Sequence, residues 1–169
     1  MPNDLKKAEA EKRRAILSID YGRVRMGLAI ADSTARLAQP LATIERINRN
    51  EDMRRLRELV REHGVKQILV GLPLRLDGTR SEMAEEAERF ARRVQKQMGL
   101  PVEMVDERLT SWEAERLLEE TQGRMLHEEK LPHGARKKKA AAKVTVDAVA
   151  AAVILKDYLE RQGQPAQNG

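Results

Sequence analysis

Apolar positions recur along this chain with two different spacings, and the switches between them mark out the elements. Ala15–Asp20 and Arg25–Asp32 are short apolar runs that predict two β-strands joined by a turn at Gly22. A weaker strand is predicted at about Ala38–Glu45, where Pro40 argues for a sheet edge or a strand start. The spacing then becomes helical over about Glu51–Glu62, with Leu56, Leu59 and Val60 on one stripe and Gly64 as the stop. Gln67–Gly71 is a nearly continuous apolar strand, the pattern of a strand buried on both faces.

The loop Leu72–Arg80 leads to a helix over Ser81–Met98, with Ser81 as its N-cap and Met83, Ala87, Phe90, Ala91, Val94 and Met98 on its apolar face. Gly99 and Pro101 end it, and Val102–Asp106 reads as a further strand. Thr110 and Glu113 have capping-box spacing for a helix from Ser111 to about Glu120. Gln122–Ala142 reads as a basic loop, and the last helix runs from about Val144 to Arg161, apolar almost all round at Ala148–Leu155. The order β-β-β-α-β-α-β-α-α predicts an α/β fold. Its mixed five-stranded sheet has three antiparallel strands, then αβ crossovers, with helices on both faces.

Composition adds limits. A chain of 169 residues, 41% apolar and 35% charged, suits one globular domain with a real core. No apolar run approaches the ~20 residues a membrane span needs, so no membrane partner is expected. The absence of cysteine excludes disulfides and thiolate metal sites, and a cytoplasmic location is the expectation. Residues 1–14 read as a flexible charged extension and residues 161–169 as a disordered tail, leaving 15–160 as the domain. The net charge of +5 permits a polyanionic partner without requiring one. Part of the basic excess sits in Arg136, Lys137, Lys138 and Lys139. With few aromatic residues, phosphate contacts rather than base stacking would dominate any nucleic-acid binding.

Three acids occupy special places. Asp20 ends the first strand, Glu107 follows the last, and Asp147 lies in the first turn of the most apolar helix. If the two strands are neighbours, Asp20 and Glu107 meet at the strand ends, where α/β sheets gather their ligands, and Asp147 can join them. Such carboxylates repel one another, and Mg2+ or Mn2+ would relieve that repulsion through oxygen ligands. Two such ions ~4 Å apart suit phosphodiester hydrolysis. Taken singly, each acid also reads as a turn aspartate, a surface charge or a helix-dipole partner. Arg108 and Thr110 after the last strand are candidates for substrate phosphates, as is the loop from Gly71 to Thr79.

Four segments, in order, resemble the YqgF/RuvX family of pre-16S rRNA nucleases, once described as Holliday junction resolvases. They are Asp20-Tyr21-Gly22 with Arg25-Met26-Gly27; Val70-Gly71-Leu72-Pro73-Leu74 with Asp77-Gly78; Asp106-Glu107-Arg108-Leu109-Thr110-Ser111; and Val146-Asp147 with Ala150-Ala151 and Ile154-Leu155. The resemblance implies a ribonuclease-H-like fold and metal-dependent nucleic-acid cleavage. It puts the family's acidic triad on Asp20, Glu107 and Asp147 as catalytic groups and ligands of a pair of Mg2+ or Mn2+ ions, with Asp106 a substitute or helper for Glu107. Apart from the resemblance, the place of Arg108 and Thr110 after the last strand, and of the cationic run Arg136, Lys137, Lys138 and Lys139 before the Asp147 helix, makes them the expected substrate contacts. Precursor 16S rRNA is the expected partner, branched DNA the alternative, and the protein a monomer or weak homodimer. Residues 1–14 and the insert Ala140-Ala141-Ala142 depart from the family pattern. Two readings of another class stand beside this one: an actin-like ATP-binding protein, and a non-catalytic ribosome-associated factor.

Overall fold

The computed structural model describes residues 14–32, 37–73, 75, 77–107, 116, 119 and 145–163. They form strands β1 (Ala15–Asp20), β2 (Arg25–Asp32) and β3 (Gln39–Glu45), helix α1 (Arg49–His63), strand β4 (Val65–Leu72), helix α2 (Glu82–Met98), strand β5 (Val102–Asp106) and helix α3 (Val146–Gly163). The five strands make one sheet in the order β3-β2-β1-β4-β5. β1 pairs antiparallel with β2, and β2 with β3, whereas β1, β4 and β5 run parallel. This is the mixed five-stranded sheet expected from the element order, and β3 with its Pro40 lies at the edge, where a missing N–H is tolerated.

Each face of the sheet buries its own core. Leu17, Ile19, Met26, Leu28, Ile68 and Val70 pack under α1 and α2, against Met53, Leu56, Phe90, Ala91 and Val94. Alternate residues of the same strands, Ile16, Ala29, Ala31 and Leu69, together with Val105 of β5, pack under α3, against Ala151, Ala152, Ile154 and Leu155. The near-continuous apolar run of β4 is therefore explained, since Ile68, Leu69 and Val70 are all buried, to alternate sides.

The helix ends obey local chemistry. Asn48 caps α1 by accepting from the Glu51 N–H at 2.9 Å, so this helix begins two residues before the first residue of the predicted helix. Ser81 caps α2 by accepting from Ala84 N–H. Gly64 and Gly99 close α1 and α2 in the left-handed conformation that favours glycine. Met83 lies half-buried outside the α2 core, and Ala84 takes the buried position instead. α3 begins at Val146 rather than Val144, because the Thr145 hydroxyl accepts from Ala148 N–H and starts it there. Of the helix expected from Ser111, only Arg116 and Glu119 are described, both helical, and the basic loop falls outside the described residues. Among the described residues, no helix is long and apolar enough to cross a membrane.

Candidate active site

The parallel strands β1, β4 and β5 all end on the same side of the sheet, and Asp20 and Glu107 stand at the ends of β1 and β5. The two strands are not neighbours, since β4 lies between them. The carboxylates meet nonetheless, joined by a side-chain hydrogen bond. Gly71 of β4 makes this reach possible: a methyl group there would overlap the Glu107 carboxylate and crowd Ile154 of α3. The Glu107 backbone N–H donates to the Leu72 carbonyl at 3.2 Å, which holds the residue in line with β4 beyond the end of β5.

Asp147 reaches the same region from the other side. Asp20 pairs with Gly27 in the β1–β2 ladder. A side chain on Gly27 would run into the backbone of Asp147 and Ala148. A bare position on β2 thus lets the first turn of α3 settle on the sheet beside Asp20. Ser18, Ala29 and Ala31 continue this strip of small residues under α3, the Ser18 hydroxyl being buried without a hydrogen bond among the described residues.

Burial raises the Asp20 carboxyl from its ordinary value of 3.8 to about 6; the hydrogen bond with Glu107 works against that rise and the Asp147 charge adds to it. Burial also pushes Glu107 up, to about 9, helped by the Asp20 charge, by the hydrogen bond with Asp20 and by the Asp106 charge. The pair therefore holds a proton at neutral pH, and that proton belongs to both carboxyls rather than to either one. Asp147 is oriented differently: Arg25 Nε donates to its Oδ2 at 3.0 Å. In this arrangement no three acids among the described residues converge as a ready metal cage. The donor chemistry nonetheless fits a hard divalent cation: two clustered carboxylates, a third acid close enough to be felt by Asp20, and only oxygen atoms to offer.

A second network fixes the end of β1 from behind. Tyr21 packs against Phe90 with ring centroids 5.0 Å apart. Arg46 lies over the Tyr21 ring and donates to its hydroxyl at 2.9 Å and to the Gly22 carbonyl at 3.2 Å. Arg46 is held in turn by the buried Asp52 of α1, which also accepts from Ile47 N–H. Neither this tether nor the Arg25 contact was visible as a role in the sequence. Arg25 figured only as part of a motif, and its partner lies 122 residues away.

The other candidates fare differently. Arg108, Thr110, Arg136, Lys137, Lys138 and Lys139 lie outside the described residues. In the loop after β4, among the described residues, three amides are engaged locally: Gly78 N–H donates to the Arg75 carbonyl, Thr79 N–H to the Asp77 side chain, and Arg75 N–H to the Thr79 carbonyl.

The model of the RuvX family, described as Holliday junction resolvase, matches residues 14–161. A protein of Koribacter versatilis called "Putative pre-16S rRNA nuclease" is 40% identical over 148 residues, 88% of this chain and 88% of that one. One of the same name from Anaeromyxobacter sp. is 42% identical over 146 residues, covering 86% of this chain and 96% of its own. Among solved structures, Thermus thermophilus RuvC in complex with a Holliday junction aligns with a TM-score of 0.49 at 17% identity, over 88% of this chain and 96% of that one. Fowlpox virus resolvase aligns with a TM-score of 0.49 at 11% identity, over 89% and 99%. The family match and the identity to these relatives both run through most of the chain, and they make it a member of the RuvX family.

Proposed function

We propose that this protein is a divalent-metal-dependent endonuclease that hydrolyses phosphodiester bonds in the 5′ processing of precursor 16S rRNA. The observation that carries this reading is the Asp20–Glu107 carboxylate pair, brought together over the bare Gly71 at the ends of parallel strands. Membership of a family whose relatives carry the pre-16S nuclease name supports the substrate. The family description as a Holliday junction resolvase makes branched DNA the second substrate to test.

In this reading Asp20, Glu107 and Asp147 hold Mg2+ or Mn2+, most simply as a pair of ions. The chemistry supplied by the bound cations is activation of a water and stabilisation of the leaving oxygen. The protein's own part is positional. β1 and β5 deliver two carboxylates, and burial keeps them clear of bulk water. Asp147, oriented by Arg25, would be the third ligand. Arg108, Thr110 and Arg136 to Lys139 contact the substrate backbone. The protein works in the cytoplasm as a monomer or weak homodimer.

The test is cleavage of end-labelled precursor 16S RNA and of a four-way DNA junction, side by side, with Mg2+ or Mn2+. Cleavage of the RNA by the wild type, and its loss by a factor of a thousand or more in Asp20→Asn and Glu107→Gln, is the expected result, roughly 4 kcal/mol of barrier. Undiminished cutting by those variants would contradict the assignment of the acids. Cutting of the junction alone would move the substrate to branched DNA.

A further inference from the structure

Beside the acidic site, an open cleft of about 580 Å3 runs between the β2–β3 edge of the sheet and the start of α3. Its walls include Arg25, Thr43, Glu45, Thr145 and Asp147. Arg25 is more than half exposed and bridges the cleft and the site through its bond to Asp147. The Thr43 and Thr145 hydroxyls are hydrogen-bonded to each other. Thr145 Oγ1 also accepts from Ala148 N–H, so of the two hydroxyl hydrogens one lies between the threonines and, among the described residues, the other has no acceptor.

The charges in this cleft make its behaviour conditional. Arg25 contributes one positive charge and Asp147 and Glu45 two negative ones, so an anion is unwelcome while Asp147 carries its full charge. A divalent cation ligated by Asp147 reverses the balance. It neutralises that carboxylate and repels the guanidinium beside it. Arg25, whose planar fork matches two phosphate oxygens, is then free in a cleft that also offers a hydroxyl donor. Resting on the nuclease reading of the acids, we propose that Arg25 is a substrate-contacting residue held in reserve by Asp147. Cation binding releases it to grip a nucleic-acid backbone phosphate in the cleft beside β3, next to the bond being cut.

Such an exchange couples the two ligands. Whatever factor the cation adds to nucleic-acid affinity, nucleic acid adds to cation affinity. Arg25 must also oppose cation binding in the free protein, because it competes for Asp147. Arg23 supplies the control, since it carries the same charge two residues away but binds Glu86 rather than Asp147.

The experiment measures binding of a fluorescein-labelled RNA spanning the 5′ end of precursor 16S, in EDTA and in Ca2+ at equal ionic strength. It is paired with a Mn2+ titration of the RNA-free protein. For the wild type and Arg23→Gln, Ca2+ should strengthen RNA binding about fivefold or more. For Arg25→Gln that gain should vanish, while affinity for Mn2+ in the free protein rises about two- to fivefold, the scale of an exposed ion pair removed. Arg25→Lys, with the charge but not the fork, should restore only part of the gain. If Arg25→Gln keeps the full Ca2+-dependent gain, or its Mn2+ affinity matches the wild type, the inference is overturned even where the wild type cuts RNA. A wild type that neither binds nor cuts RNA or junction DNA would instead overturn the nuclease reading, and this inference with it.

Discussion

Glu107 is the carboxyl pushed furthest above its ordinary value, from 4.5 to about 9. In the folded protein it and Asp20 both hold protons more tightly than free carboxyls do, so at intermediate pH the folded state carries more protons than the unfolded one. Stability linked to this pair is fully present below the ordinary values of 3.8 and 4.5 and is lost as pH rises through the raised ones, about 6 and about 9. Glu51, Asp77 and Glu86 are all held below their ordinary values by their hydrogen-bond partners, so their linked stability rises with pH and cannot produce a fall across this window. Denaturant unfolding in EDTA should show stability falling from pH ~5 to ~9, with a shallower fall in Glu107→Gln. A wild-type profile that is flat or rises across this window, unchanged by Glu107→Gln, would contradict the shared proton. The candidacy of Asp20 and Glu107 was legible because each acid ends an apolar run. Their meeting was not, because it depends on β4 lying between the two strands and on that strand presenting Gly71 where any other residue would block the carboxylates.

At the level of elements, the decisive contact is α3 against β2. A helix this apolar buries itself readily, but its depth is set by what the strand presents, and Gly27 presents nothing. Gly27→Ala would force a methyl into the Asp147 backbone, so α3 must ride up from the sheet. A loss of about 1–3 kcal/mol, the usual cost of overpacking, is expected in denaturant unfolding, together with a loss of cleavage larger than that destabilisation explains. Full activity in this variant would show that the close seating of Asp147 is unnecessary. The sequence made α3, its apolar face and Asp147 in its first turn legible, since these follow from local periodicity. It placed Gly22 in the turn and Gly27 in the strand, but could not show what Gly27 makes room for. Gly22 accommodates the Arg25 carbonyl close by in the chain, whereas Gly27 accommodates a helix from the far end of the chain. The same limit hid the Asp52–Arg46–Tyr21 tether, whose members come from α1, the turn before it and the end of β1.

Across the whole molecule, the two cores divide the labour of the sheet. The α1–α2 side anchors the strands and the Tyr21 tether, while the α3 side carries all three acids. An acidic site attracts cations and repels a polyanion, so nucleic acid must be held by positive charge elsewhere, and the chain's excess of +5 includes Lys137, Lys138 and Lys139. Replacing these three lysines by alanine should weaken RNA binding and reduce its salt slope by about one for each backbone phosphate no longer neutralised. An unchanged slope would remove them from the interface. Asp20, Glu107 and Asp147 are proposed as ligands of one cation site. The most direct measurement is Mn2+ binding to the wild type and to Asp20→Asn, Glu107→Gln and Asp147→Asn, each checked for folding. The wild type should bind Mn2+, and each substitution should weaken that binding about tenfold or more. Wild-type affinity in any one variant would remove that residue from the site, and wild-type affinity in all three would contradict the account.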